Sequence, residues 1–145
     1  MQDQNVAVYM RTSSKKTKSA KASLANQRRK IVEAVLSEVT QPSAGVTFWE
    51  YEDSPLGNAA RRCPGMPHLI DHVTTGLYQR VVVSDLSRIS DLPTEVSSFL
   101  ALLEAYDVAF QSLAEGIDTR DIVGRSMVAL HRMMTGENMN PITIR

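Results

Sequence analysis

Two short segments of this sequence are apolar at nearly every position, and they constrain the fold more than any other feature. One spans residues 6–10 and the other residues 81–83. A strand that is apolar on both faces must be covered on both faces, which is typical of parallel sheets with helices above and below. Both segments therefore predict buried inner strands.

The rest of the chain alternates between strand-like and helical patterns. The other predicted strands are 46–51 and 108–113. Two predicted helices start at Ser23 and Pro93, and two more span residues 66–73 and 121–134. This alternation indicates an α/β fold, a single domain with a mainly parallel central sheet flanked by helices on both faces. A methionine-rich face of the last helix favours core packing over a contact between subunits. Its residues are Ile122, Met127, Leu130 and Met134.

The length of 145 residues suits one domain with a full hydrophobic core. We expect this domain to span residues 1–135, and residues 136–145, which show no packing pattern, to form a disordered tail. No apolar run reaches the roughly 18 residues that a membrane span needs, and residues 1–10 contain no secretory signal. With a single cysteine, Cys63, the sequence predicts a cytoplasmic protein without a membrane partner.

The net charge is zero, but the charges are unevenly distributed. Residues 2–30 contain eight basic residues and one acid. The basic residues are Arg11, Lys15, Lys16, Lys18, Lys21, Arg28, Arg29 and Lys30. Residues 12–21 are rich in Ser, Thr and Lys without periodicity, which predicts an exposed mobile loop. Such a segment either attracts a polyanion or is a solvated lysine-rich loop without a ligand.

The carboxyl ends of parallel strands lie on one rim of a sheet, where ligands bind. On this sequence the rim receives Arg11, Ser13, Asp53 and Arg88. A serine hydroxyl attacks phosphorus well only when cations neutralise the phosphate oxygens, and the planar fork of arginine binds two of them. Several arginines around one serine therefore predict a metal-free phosphoryl-transfer site.

Further side chains can complete this site. Arg61 and Arg62 belong to a long loop, residues 55–64, from which either can reach the rim. Gln27 shares a helical stripe with apolar residues and needs a polar partner there. It is either a satisfied core residue or a side chain that points back and positions Arg11 or the serines.

Metal ligands are sparse in the sequence. The histidines His68, His72 and His131 are scattered, and the carboxylates show no binding-loop spacing. His68 and His72 are four residues apart on one predicted helix, but a zinc pair is the less favoured interpretation. We therefore expect neither a metal nor another cofactor.

The start of the chain carries a specific motif, Tyr-x-Arg-x-Ser followed by a loop and Ser-Leu-x-x-Gln. Its residues are Tyr9, Arg11, Ser13, Ser23, Leu24 and Gln27. In this motif the chain resembles the catalytic domain of the serine recombinases, the resolvase/invertase family. The resemblance implies that Ser13 attacks a DNA phosphodiester and holds the cleaved strand as a 5'-phosphoserine, with Arg11 as phosphate ligand. Ser14 ranks second as nucleophile.

The later motifs of the family are present with changes. The block 86–90 fits a variant of the family pattern and implies that Arg88 binds phosphate, with Ser87 in support. The family's Arg-Pro-Gly is interrupted by Cys63, which leaves the role of Arg62 open. Where the family has a final arginine, this chain has Asp91, for which we expect a helix-capping role. The loss of one preorganised donor typically costs about 2.7–4 kcal/mol of transition-state stabilisation.

These features predict a site-specific DNA recombinase catalytic domain that acts on double-stranded DNA. The expected catalytic residues are Ser13, Arg11 and Arg88, with support from Gln27, Arg62, Ser87 and Tyr9 and DNA contacts from Lys15, Lys16, Lys18, Lys21 and Arg61. The resemblance also implies a homo-oligomer, a dimer or a tetramer, and we expect no C-terminal DNA-binding domain. The alternative is a catalytically impaired DNA-binding or assembly module. A flavodoxin-like ligand-binding domain is disfavoured because no glycine-rich loop follows the first strand.

Overall fold

The order of the elements follows the predicted alternation of strands and helices. The computed structural model describes residues 4–39, 45–55 and 65–135. Its elements are β1 (Gln4–Arg11), α1 (Thr17–Leu36), β2 (Val46–Asp53), α2 (Gly65–Val73), β3 (Arg80–Val83), a 3-10 turn (Leu86–Arg88), α3 (Pro93–Ala105), β4 (Ala109–Ser112), β5 (Ile117–Asp118) and α4 (Ile122–Met134). The predicted α/β class is therefore confirmed.

The strands form one five-stranded sheet in the order β2-β1-β3-β4-β5. The first four strands are parallel, whereas β5 pairs antiparallel with β4. β1 and β2 pair along their whole length, from Gln4 opposite Val46 to Arg11 opposite Asp53. Their carboxyl ends therefore stop at the same level.

Helices cover both faces of the sheet, and a separate apolar cluster fills each side. The cluster beneath α1 consists of Val6, Val8, Met10, Ile31, Val35 and Val82. The cluster beneath α2 and α3 includes the alternate residues of the same two strands, Ala7, Tyr9, Val81 and Val83. Because β1 and β3 are buried from both sides, the apolar segments 6–10 and 81–83 form inner strands as predicted.

The segment after β1 differs from its prediction. α1 begins at Thr17, so residues 17–21 are helical rather than part of a loop, and Ser23 lies inside the helix rather than at its N-cap. The N-cap is Lys16, which makes no side-chain capping bond, and the first turn contains no acid. Tertiary packing of the buried stripe therefore stabilises a helix start that carries no local sequence signal. That stripe is Ala20, Gln27, Ile31 and Val35.

The last helix begins where expected, but its inward side agrees with the prediction only in part. The carboxylate of Asp121 caps α4 by accepting a hydrogen bond from the Gly124 amide at 2.7 Å. Three of the four residues expected on the core face are instead exposed, by 69% at Ile122, 58% at Leu130 and 79% at Met134. The fourth, Met127, is partly buried and packs against the core as expected. Gly124 faces inward, where a Cβ atom would lie 1.9 Å from the carbonyl oxygen of Asp118 in β5. The close approach of Gly124 to β5, a strand that was not predicted from the sequence, thus sets the rotation of α4 about its own axis.

Parts of the predicted organisation lie outside the described residues. They are the tail, residues 136–145, and residues 56–64 of the long loop, with Arg61 and Arg62. Among the helices of the described ranges, none combines the length and the apolar character needed to cross a membrane.

Candidate active site

The carboxyl ends of β1, β2 and β3 bring most of the predicted site residues to one rim of the sheet. Arg11 ends β1 and lies opposite Asp53 at the end of β2. Ser13 follows β1, and Arg88 belongs to the 3-10 turn after β3. The rim therefore joins side chains that are far apart in sequence.

The 3-10 turn holds the guanidinium of Arg11. Its Nε donates to the carbonyl oxygen of Arg88 at 2.9 Å, and its Nη2 donates to that of Ser87 at 2.6 Å. Nη2 also donates to Oδ1 of Asp91 at 3.0 Å, in an ion pair with 25% of the Arg11 side chain and 80% of the Asp91 side chain exposed. Main-chain carbonyls therefore fix the orientation of this cation, and a carboxylate partly neutralises it.

Arg88 completes a reciprocal arrangement with Arg11. Its Nη1 donates to the carbonyl oxygen of Arg11 at 3.1 Å, and its Nε forms an ion pair with Asp85 at 3.2 Å. Ser87 Oγ donates to the other carboxylate oxygen of Asp85. Burial opposes ionisation of Asp85, but the hydrogen bond from Ser87 and the nearby Arg88 outweigh it and lower the pKa of this carboxyl.

Asp85 is a site residue that sequence reasoning missed. The signal was present, because Asp85 lies three residues before Arg88 at the start of a tight turn. Residues three apart in a 3-10 turn lie on the same side, where opposite charges meet.

Gln27 points back at the end of β1, which is the second of its two sequence interpretations. Its side chain is buried, with Oε1 accepting from the Arg11 amide at 3.1 Å and Nε2 donating to the Arg11 carbonyl at 2.9 Å. Nε2 also donates to Ser23 Oγ at 3.1 Å. The side-chain amide thus pairs with the main chain of Arg11 much as a neighbouring strand would.

Tyr9 and Asp53 tie the ends of the first two strands to α2. The Tyr9 hydroxyl donates to Asp53 Oδ2 at 2.6 Å. The same carboxylate accepts the amides of Gly65 at 2.6 Å and Met66 at 2.9 Å, at the helix N-terminus, where a negative charge is favourable. Burial, followed by the hydrogen bond to Asp53, raises the pKa of Tyr9.

Asp91 does not cap α3, so its expected capping role is wrong. The N-cap of α3 is Leu92, which has no side-chain capping bond, and Pro93 follows in the first turn. Ser90 satisfies the local turn instead, since its Oγ accepts from the Leu92 amide at 3.0 Å. The Asp91 carboxylate is therefore free to pair with the cation across the rim.

Ser13 and the predicted DNA-contacting lysines are exposed to solvent. Ser13 is exposed, and its hydroxyl makes no hydrogen bond within the described part of the chain. Ser14 is tied into the turn instead, because its Oγ accepts from the Lys16 amide at 3.3 Å. The exposed lysines around the start of α1 are Lys15, Lys16, Lys18 and Lys21.

The histidines of α2 take part in aromatic packing. His72 Nδ1 lies 2.7 Å from the Tyr51 hydroxyl and 3.3 Å from the Tyr78 hydroxyl. The rings of His68 and His72 meet edge to face at 6.0 Å. Within residues 4–39, 45–55 and 65–135, no group of three or more His, Cys, Asp or Glu side chains is placed to hold a metal ion.

Known proteins share this architecture. The N-terminal catalytic domain of TP901-1 integrase superposes with a TM-score of 0.72 at 19% identity, covering 96% of this chain and 99% of that one. A resolvase family site-specific recombinase from Streptococcus pneumoniae gives a TM-score of 0.68 at 21% identity, covering 97% of this chain and 93% of the other. The C-terminal catalytic domain of ISC1926 TnpA, an IS607-like serine recombinase, gives 0.58 at 17% identity, covering 75% and 67%.

At these identities the likeness to solved structures establishes the fold. No curated protein matches the chain. The family model described as the resolvase N-terminal domain matches residues 6–143, which is most of the sequence. The chain therefore belongs to the resolvase family, and residues 6–143 correspond to the N-terminal domain of that family.

Proposed function

We propose that this domain cleaves and rejoins DNA strands through a 5'-phosphoserine intermediate, with Ser13 as nucleophile. In cleavage the bond from Ser13 Oγ to phosphorus forms and the bond from phosphorus to the 3' oxygen breaks. The serine proton leaves to solvent, and the 3' oxygen gains a proton. Rejoining is the reverse step, so no cofactor is required. The exposed Ser13 hydroxyl, two residues after a guanidinium fixed at the rim, is the observation that carries this proposal.

The two rim arginines supply the electrostatics of this reaction. Arg11 and Arg88 neutralise the non-bridging oxygens of the phosphate and stabilise charge that builds in the transition state. Because carbonyl oxygens already orient Arg11, little further ordering is needed when the phosphate arrives. Arg62, from the loop outside the described residues, is proposed as an additional phosphate ligand.

The supporting residues act by positioning. Gln27 holds the main chain of Arg11, with contacts of 3.1 and 2.9 Å. Ser87 holds the carboxylate that orients Arg88. Tyr9 fixes the end of β2 through its hydrogen bond at 2.6 Å.

The proposed substrate is double-stranded DNA, contacted by the lysines around the start of α1 and by Arg61. Exposed ammonium groups suit phosphate contacts, and such binding weakens with salt.

The domain is further proposed to act as a homo-oligomer, a dimer or a tetramer. The exposed apolar side chains of α4 support this, since contacts between subunits commonly use such residues.

The second candidate is a catalytically impaired DNA-binding or assembly module. The ion pair between Arg11 and Asp91 at 3.0 Å favours it, because a carboxylate lies against a cation that the reaction uses. Both candidates share the fold and the rim, and they differ in whether a covalent adduct forms.

A covalent-trapping experiment tests the proposal. The protein is incubated with a nicked, labelled duplex, and adducts are detected by denaturing gel and mass spectrometry. We expect an adduct on Ser13 in wild type and in the matched control Ser14→Ala, and none in Ser13→Ala. If wild type binds DNA in a salt-sensitive way but forms no adduct, and Asp91→Arg does form the adduct, the impaired module is established instead.

A further inference from the structure

We propose that Asp91 is an internal competitor of the DNA phosphate. Its carboxylate is paired with the guanidinium of Arg11. A phosphodiester has to displace this carboxylate before Arg11 can bind the phosphate with two hydrogen bonds. This inference rests on the proposed function of the rim and deepens it. It makes Asp91 a positioning residue that acts through Arg11 and sets how tightly the site takes a phosphate.

The hydrogen bonds of Arg11 explain why displacement is required. A guanidinium offers two edges for two-point binding, Nε with Nη2 and Nη1 with Nη2, and both edges use Nη2. In this site Nη2 already donates to the Ser87 carbonyl at 2.6 Å and to Asp91 Oδ1 at 3.0 Å. Nε is also engaged, by the Arg88 carbonyl at 2.9 Å, so a phosphate binds through Nη1 and Nη2 and must replace one of the two acceptors of Nη2.

Of the two acceptors, Asp91 is the one that can leave. The Ser87 carbonyl belongs to the 3-10 turn. In this turn the Arg88 amide donates to the main-chain carbonyl of Asp85 at 3.1 Å, and the Ile89 amide donates to that of Leu86 at 3.1 Å. Its movement would break this main-chain pattern. The Asp91 side chain is 80% exposed and can rotate into water without disturbing the backbone. Exposed pairs of this kind shift an equilibrium by up to about fivefold.

The same pair sets the local charge balance. Arg11 faces Asp91 at 3.0 Å and Arg88 faces Asp85 at 3.2 Å, so two cations are matched by two anions. Removal of the Asp91 charge leaves Arg11 without an ion-pair partner among the described residues. The logarithmic dependence of DNA affinity on salt should then become steeper by about one unit, as for one additional phosphate contact.

The experiment compares Asp91→Asn with the matched control Glu52→Gln. Glu52 is an exposed carboxylate at the end of β2, one residue before Asp53. Inorganic phosphate is titrated while the Arg11 side-chain Nε–H resonance is followed by NMR, and duplex binding is measured against salt. We expect Asp91→Asn to tighten phosphate binding about three- to fivefold and Glu52→Gln to change it by less than about 1.5-fold.

A double-mutant cycle separates action through Arg11 from a general charge effect. In an Arg11→Ala background, we expect Asp91→Asn to leave duplex affinity unchanged. Equal tightening by Asp91→Asn and Glu52→Gln would overturn the proposal, as would an effect of Asp91→Asn that persists without Arg11. Asp91→Ser provides a second neutral variant if the first is unstable.

The phosphate titration also keeps this inference distinct from the proposed function. It reads the Arg11 side chain directly and requires no strand cleavage. A wild-type protein that forms no DNA adduct, but whose phosphate affinity rises in Asp91→Asn, refutes the cleavage reaction and upholds the competitor. A Ser13 adduct together with an unchanged phosphate affinity does the opposite.

Discussion

The hydrogen bond from Tyr9 to Asp53 offers a direct test of how the rim is held together. Tyr9→Phe removes a hydroxyl from a side chain that is 1% exposed and bonded to a carboxylate at 2.6 Å. Hydrogen bonds to charged groups contribute about 1.5–3 kcal/mol. Because Asp53 keeps its two amide donors from α2, we expect the lower part of this range, a loss of about 2 kcal/mol near neutral pH.

The same substitution has a signature at alkaline pH. Burial and Asp53 raise the pKa of Tyr9 in the folded protein, whereas a tyrosine in the unfolded chain ionises near pH 10. The stabilisation is therefore complete below about pH 10 and is lost above it, by about 1.4 kcal/mol per pH unit, as the unfolded state alone releases its proton. The advantage of wild type over Tyr9→Phe should vanish near pH 11.5, about 1.5 units above the unfolded pKa.

Urea unfolding followed by circular dichroism, at several values between about pH 7 and 11.5, measures this difference. Burial raises the pKa of Tyr51 to about 12, and its effect is common to both proteins, so it cancels. As a control, Tyr106→Phe removes a hydroxyl from a side chain that is 46% exposed, and near neutral pH it should change stability by less than about 0.5 kcal/mol. A difference between wild type and Tyr9→Phe that is constant with pH would refute the reasoning.

Two further substitutions test contacts away from the candidate site. Gly124→Ala places a Cβ atom 1.9 Å from a main-chain oxygen of Asp118, so we expect a loss of about 3 kcal/mol in urea unfolding despite the better helix propensity of alanine. Glu38→Gln removes the carboxylate that pairs at 3.1 Å with Arg80, whose side chain is 3% exposed. Because Glu38 itself is partly solvated, we expect the substitution to lower stability by about 1 kcal/mol. The burial of Arg80 shields the pair from salt, so thermal melts in more than about 0.5 M salt should show nearly the same loss of stability.

The sequence predicted the sheet well because its inner strands carry their own signal. Residues 6–10 and 81–83 are apolar throughout, and the structure buries β1 and β3 from both sides. β5 has only two residues, Ile117 and Asp118, too few to show a period. The inward side of α4 was predicted only at Met127, because contact through a glycine leaves no apolar pattern to read.

At the site, the sequence predicted which residues meet but not how they are paired. The carboxyl ends of parallel strands brought Arg11, Asp53 and Arg88 together as expected. The pairing of Asp91 with Arg11 was hidden, because it spans 80 positions and depends on the orientation of a side chain beside the turn. Carbonyl acceptors such as that of Ser87 are equally invisible, since every residue carries one.

Because main-chain carbonyls hold the guanidinium of Arg11, it should stay in place when the residues that supply those carbonyls are substituted. A peptide oxygen is present whatever side chain the residue bears, so positions 87 and 88 can change identity while the two bonds at 2.6 and 2.9 Å persist. Proline is the exception, because at position 88 it removes the amide that closes the turn onto Asp85. Variants of Ser87 and Arg88 will therefore report on their own side chains, with the neighbouring cation still in place.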